Sequence, residues 1–164
     1  MTGRGLWSLL ATSETAAIRR TVMSWHDVLF GFDGRIGRKT FWIALVAVMA
    51  VELVCHVIAG AIEGERLTSI VSLGFSYPEF AIMAKRGHDR GMPTAIPAAF
   101  FGISVVIDFL FVIGAAGSSD EPSALLLMLT VPWLVFALAL IVDLGFRPGT
   151  PGPNRYGPPP TNAV

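Results

Sequence analysis

The sequence predicts an all-α integral membrane protein: a four-helix transmembrane bundle preceded by a short N-terminal amphipathic interfacial helix. Three observations predict it. Hydrophobic residues make up 53% of the 164-residue chain and charged residues only 15%, where a soluble domain carries roughly 25%. Mean hydropathy is +0.63. The charges cluster in short stretches, and the charge-poor runs between them approach the roughly 20 helical residues that span a hydrocarbon core of about 30 Å.

The elements follow in order. Residues 1–22 lack a long apolar stripe and read as a dispensable extension, with Met23 a candidate start. Gly5 to Thr12 is too short and too broken by small polar residues for a signal-peptide core. Trp25, Val28, Leu29 and Phe32 recur at i, i+3, i+4 and i+7, one apolar helical stripe. Such a stripe suits either the inner membrane surface or packing beneath the bundle.

The membrane domain covers residues 23–160, with spans at about 41–62, 67–84, 95–116 and 124–146. The second is the shortest and most polar, because Ser69, Ser72, Ser76, Pro78 and Glu79 fall inside it. Small residues permit close helix contact, and neighbouring helices shelter a proline kink. Connections at 63–66, 85–94 and 117–123 are short, which favours an up-down-up-down bundle. A Pro/Gly-rich tail, 147–164, reads by composition as flexible or polyproline-like.

Orientation follows from Lys and Arg. Arg4, Arg19, Arg20, Arg35, Arg38 and Lys39 precede the first span, Lys85, Arg86 and Arg90 lie in the second connection, and Arg147 and Arg155 follow the last span. Eleven of the 12 basic residues therefore share one side, and only Arg66 lies opposite. The basic side is expected to be cytoplasmic, with both termini there, in a bacterial inner membrane. The net charge of zero supplies no basic field for nucleic acid. One cysteine, Cys55, excludes an intrachain disulfide and reads as a small core residue. His26, His56 and His88 fall at different depths, so neither a metal site nor a cofactor is expected.

Intramembrane acids are the residues that would carry chemistry, because a charge at a helix centre costs about 2.5–3.5 kcal/mol on insertion scales and needs a partner. At about 1.5 Å per residue, Glu52, His56 and Asp108 lie about 16, 22 and 20 Å from the inner edge, and Glu79 and Asp143 about 7 and 4 Å. The first three form a candidate buried polar cluster: a proton or cation site, or a hydrogen-bond cluster that fixes helix register. Glu79 and Asp143 are expected beside Lys85, Arg86 or Arg147 at the inner surface. His88 and Asp89, adjacent in a basic loop, offer an acid–base pair for a membrane-surface enzyme. Otherwise Asp89 caps the next helix or pairs with Arg90. No Walker, HExxH, CxxC or nucleophile-elbow pattern accompanies them.

Three segments resemble a known family. Gly34-Arg35-Ile36-Gly37-Arg38-Lys39-Thr40-Phe41-Trp42 resembles its GRxxRxxFW motif, Lys85-Arg86-Gly87-His88-Asp89 its RRLHD motif, and Gly149-Thr150-Pro151-Gly152-Pro153-Asn154-Arg155-Tyr156-Gly157 its GTxGxNRFG tail. Together, over about Met23 to Pro160, they resemble the bacterial inner-membrane family known as domain of unknown function 805. Departures are Gly87 in place of the usual Leu, Gly91-Met92-Pro93 where tryptophans are frequent, and Pro159 where an acid is common. The resemblance implies a small inner-membrane protein with no established activity and no catalytic residues. It also implies a tail ordered against the inner loops. Arg35, Arg38, Lys85, Arg86, His88, Asp89, Asn154 and Arg155 then form a candidate cytoplasmic-face motif. The expected role is to bind or organise a membrane partner, a protein or a second copy, within the lipid bilayer. The alternatives are a proton- or cation-coupled carrier or channel subunit using the buried acids, and the His88–Asp89 enzyme.

Overall fold

The computed structural model describes residues 23–62, 65–117 and 121–160. The expectation for residues 1–22 lies outside them. The described residues form five helices and no strand: α1 (Trp25–Phe30), α2 (Arg38–Ile62), α3 (Glu65–Asp89), α4 (Ala95–Val112) and α5 (Ala124–Phe146). The last four are long and apolar enough to cross a membrane. Even the 18-residue α4 reaches about 27 Å at 1.5 Å per residue.

Helix α1 starts at a capping box. The Asp27 backbone N–H donates to Ser24 Oγ (3.1 Å), and the Ser24 N–H donates to Asp27 Oδ2 (3.3 Å). The Ser24 hydroxyl also donates to Asp27 Oδ2 (2.7 Å) and holds this exposed carboxyl below its usual range. The helix ends after six residues. The expected stripe therefore divides: Val28 enters the core, Trp25 stays exposed, and Phe32 lies beyond the helix, packed edge-on to Tyr77 and against Phe80. Tyr77 Oη donates to the carbonyl of Phe30 (3.1 Å), and Lys85 Nζ to that of Asp27 (2.9 Å). These bonds fasten α1 to α3.

The second spanning helix differs most from expectation. Expected to end near Ala84, α3 continues to Asp89, so Lys85, Arg86, His88 and Asp89 are helical rather than in a loop. Ala81 to Asp89 are buried almost without exposure, including Lys85 and Arg86. Charged residues tolerate this only when each is paired and hydrogen-bonded, and the partners come from distant parts of the chain. Helix α4 ends at Val112 rather than near Ala116. The chain turns at Gly114 (φ 75°), and Ala116 packs back against Leu110 and Leu126.

Helix α3 packs along both α2 and α4, and α5 rests mainly on α4. The main core lies at the basic end, where Phe41, Ile82 and Leu144 are fully buried. There Trp42 covers Gly145, leaving no room for a Cβ, and its indole N–H donates to the Gly145 carbonyl (3.1 Å). Elsewhere the outer faces stay open: Leu53 is 64% exposed, Val57 67% and Met128 75%. Such a continuous apolar surface is untenable in water but ordinary against lipid.

Candidate functional site

Two polar assemblies emerge. The first lies at the basic end and is built around Asp89. Its Oδ1 accepts from Arg35 Nε (3.1 Å) and Nη2 (2.9 Å), and its Oδ2 accepts from Arg86. Arg35 turns its remaining donors on the tail: Nη1 to the carbonyls of Gly152 (2.8 Å) and Gly157 (3.2 Å), Nη2 to that of Thr150 (2.7 Å). All five guanidinium donors are thereby engaged. Arg86 donates to the carbonyls of Leu144 (2.7 Å) and Arg147 (2.6 Å), and Arg38 to that of Phe146 (3.2 Å). These carbonyls close the last turn of α5, which has no helical partners for them and carries partial negative charge.

The tail is docked by the same residues. The Thr150 backbone N–H donates to the Asp89 carbonyl (2.7 Å), and Asn154 Nδ2 to the His88 carbonyl (2.9 Å). Tyr156 stacks flat on His88, ring centroids 3.8 Å apart, with the Arg155 guanidinium over its ring. Gly149 passes so close to the Asp89 carboxylate that a Cβ would collide with it. His88 has both ring nitrogens engaged, Nδ1 with the Gly34 carbonyl (3.1 Å) and Nε2 with Thr94 Oγ1 (2.8 Å). Asp89 neither caps α4 nor pairs with Arg90. Arg90 instead reaches Asp143 (3.3 Å), which also pairs with Arg147 (2.9 Å). Among the described residues no buried side-chain nitrogen or oxygen lacks a hydrogen-bond partner. Seven of the eight candidate motif residues thus meet, directly or through the end of α5 and the tail, in one interlocked assembly, whereas Lys85 turns to the carbonyls of Asp27 and Gly31 at α1. In that assembly both ring nitrogens of His88 and both carboxylate oxygens of Asp89 are engaged by the protein's own groups.

The second assembly surrounds a cavity of about 370 Å³, lined by residues of all four spanning helices. Glu52 of α2, Glu79 of α3 and Asp108 of α4 line it together. The three carboxyls border one space and lie near enough to act on one another. Glu79 is thus not at the inner surface beside Lys85 or Arg86, as expected. Counted from the true end of α3 at Asp89, it lies about 15 Å in, level with the other two acids to within the reach of their side chains. A legible signal existed: Ser69, Ser72, Ser76, Glu79 and Arg86 recur at spacings of three, four or seven, a polar stripe along one face of α3.

His56 stands at the margin. Its Nε2 is 3.6 Å from Glu52 and 2.9 Å from Ser72 Oγ, but it does not line the cavity. Helix α3 packs on both α2 and α4 and contributes the third acid, Glu79. Phe100, Phe101 and Trp133 supply an aromatic wall, with Phe100 and Trp133 stacked at 5.3 Å and the Trp133 indole N–H donating to Ser104 Oγ (2.7 Å). Among the described residues no group of three His, Cys, Asp or Glu side chains is arranged to hold a metal ion.

Comparison with known proteins agrees with this layout. The family described as "Protein of unknown function (DUF805)" matches residues 29–158. The "Uncharacterized protein YiiR" of Escherichia coli strain K12 is 32% identical over 142 residues, covering 84% of this chain and 88% of the relative, and its counterpart in E. coli O157:H7 matches equally. No solved structure matches. The matched stretch runs from α1 through the docked tail, so it contains the whole Asp89 assembly and all three cavity acids, and the chain belongs to the DUF805 family.

Proposed function

We propose that this protein sits in a bacterial inner membrane with both termini in the cytoplasm and binds a membrane-borne partner in its acid-lined cavity. The observation that carries this reading is the cavity itself: about 370 Å³, with three carboxyls contributed by three helices. Ligand sites are concave, mostly apolar and furnished with a few converging polar groups. The Asp89 assembly has the opposite character, since its groups are saturated by one another, and its role is to hold α2, α3, α5 and the tail in register. Orientation rests on the distribution of Lys and Arg in the sequence, eleven of the 12 preceding the first span, lying near the connection of the second to the third or following the last. A periplasm-active reporter fused after Val164 is expected to be silent, and an active fusion would reverse the topology.

The binding reading is tested by a photo-crosslinking amino acid placed at Ile107, which lines the cavity, and in a separate protein at Met128, which is 75% exposed. After irradiation of native membranes, Ile107 should yield a discrete adduct that Met128 does not. The same bulk-lipid adducts from both positions would contradict it. A second reading, a proton- or cation-coupled carrier subunit, draws on the three acids that line one cavity among the spans, because neighbouring carboxyls favour a proton or another cation among them. Ion flux into vesicles containing the purified protein, lost in Glu79→Gln, would favour it.

A further inference from the structure

We infer that the cavity takes a cationic amphiphile, an ammonium head on an apolar chain, which reaches it sideways from the bilayer through the seam between α2 and α5. The inference rests on the cavity being a binding site and adds the ligand's chemistry and its route.

The route comes from the packing. Helices α2 and α5 meet at the basic end, where Trp42 lies on Gly145 and against Phe146, and Arg38 bonds the Phe146 carbonyl. Towards the opposite end α5 turns to α4, and their second core of Leu110, Ala116 and Leu126 includes nothing from α2. Met49 of α2 and Ile141 of α5 both line the cavity and yet are 52% and 38% exposed. A residue that lines a cavity while facing outward marks its rim, and here the rim belongs to the two helices that diverge. Below it, buried Phe41, Ile82 and Leu144 close the cavity towards the basic end.

The ligand's charge follows from the lining. Three carboxyls border the cavity and, among the described residues, no Lys or Arg does. A cation entering this space is met by acids from three helices. Aromatic rings add to the preference, since ammonium groups are attracted to the faces of Trp and Phe, and Trp133, Phe100 and Phe101 border the same space. The volume of about 370 Å³ lies at the small end of ligand pockets. It accommodates a small head and the first part of a chain, whose remainder stays in lipid through the seam.

The test uses the full chain in nanodiscs of zwitterionic lipid and three amphiphiles of equal chain length: decyltrimethylammonium, decyl sulfate and decyl maltoside. The ammonium compound alone should raise Tm in a saturable way. The Glu52→Gln/Asp108→Asn protein should need at least about tenfold more of it, the equivalent of roughly 1.4 kcal/mol. Ile141→Trp, which narrows the rim without touching an acid, should weaken the response as well, so the inference does not depend on the acid variants folding. Equal stabilisation by all three amphiphiles would overturn the charge assignment and leave the binding reading standing. An unchanged response in Ile141→Trp would overturn the route. No saturable response to the ammonium compound, with Tm governed by pH alone, would mean that the acids hold only a proton. A discrete Ile107 adduct would then still support a binding cavity for another ligand.

Discussion

Asp89→Asn is the most informative single change at the basic end. Among the described residues Asp89 is the only carboxylate paired with Arg35 and Arg86, whose side chains are 0% and 1% exposed. The amide keeps the size of the side chain but removes its charge, leaving two buried guanidiniums facing each other with no counterion between them. Asp143, which also acts on Arg86, is held by Arg90 and Arg147. Removing one partner of a buried ion pair typically costs about 3–5 kcal/mol. The carbonyls of Leu144, Arg147, Thr150 and Gly152 still accept from the two arginines, which places the expected loss near the lower figure. Thermal unfolding in mild detergent should show it as a fall in Tm on the order of 10 °C. A second arm checks the cause. Adding Arg35→Met to Asp89→Asn removes one of the orphaned cations, so the double variant should be less destabilised than the sum of the singles by about 0.5 kcal/mol or more. If Asp89→Asn unfolds within about 0.5 kcal/mol of the parent, the range of an ordinary surface substitution, the Asp89 assembly is not what holds this end together.

Other outcomes follow from individual contacts. Gly149→Ala places a Cβ against the Asp89 carboxylate and should release the tail, seen as faster cleavage of residues 147–160 by an added protease while the helical circular dichroism stays constant. Gly145→Ala should push Trp42 off α5 and lower Tm by about 1–3 kcal/mol equivalent, the range for overpacking; an unchanged Tm would show that the ring has room to move. Trp133→Phe keeps the ring but loses the 2.7 Å bond to Ser104, a loss of about 0.5–1.5 kcal/mol, and Ser104→Ala should add little to it.

The spans and their alternation were legible because hydropathy and charge are local properties. Phe41 to Ile62 and Ala124 to Phe146 are apolar apart from a few positions such as Glu52, His56 and Asp143, and nothing distant is needed to place them. The end of α3 was not legible for the opposite reason. Lys85, Arg86, His88 and Asp89 read as loop charges until Arg35, 54 residues away from Asp89, and the Leu144 carbonyl, 58 residues away from Arg86, are known to satisfy them. That misplaced boundary also misplaced Glu79, since its depth was counted from Ala84. Glu52 and Asp108 were counted from better-defined ends and were set at compatible levels. The docking of the tail was implied by its motif, but its partners were not, because Arg35 reaches three tail carbonyls that carry no side-chain signal. The seam between α2 and α5 depends on how far two helices diverge, and neither helix's own periodicity records that.

The central claim is that acids from separate helices share one cavity. It is tested most directly by a double-mutant cycle on Glu52→Gln and Glu79→Gln, read as unfolding free energy in detergent. Both carboxyls border the same cavity, and each amide alone ends the interaction between them, so the second substitution should change little once the first is made. The predicted coupling is about 0.5 kcal/mol or more. The same cycle between Glu52→Gln and Asp143→Asn, whose partners lie at the basic end, should be additive. Strict additivity between Glu52 and Glu79 would contradict the account.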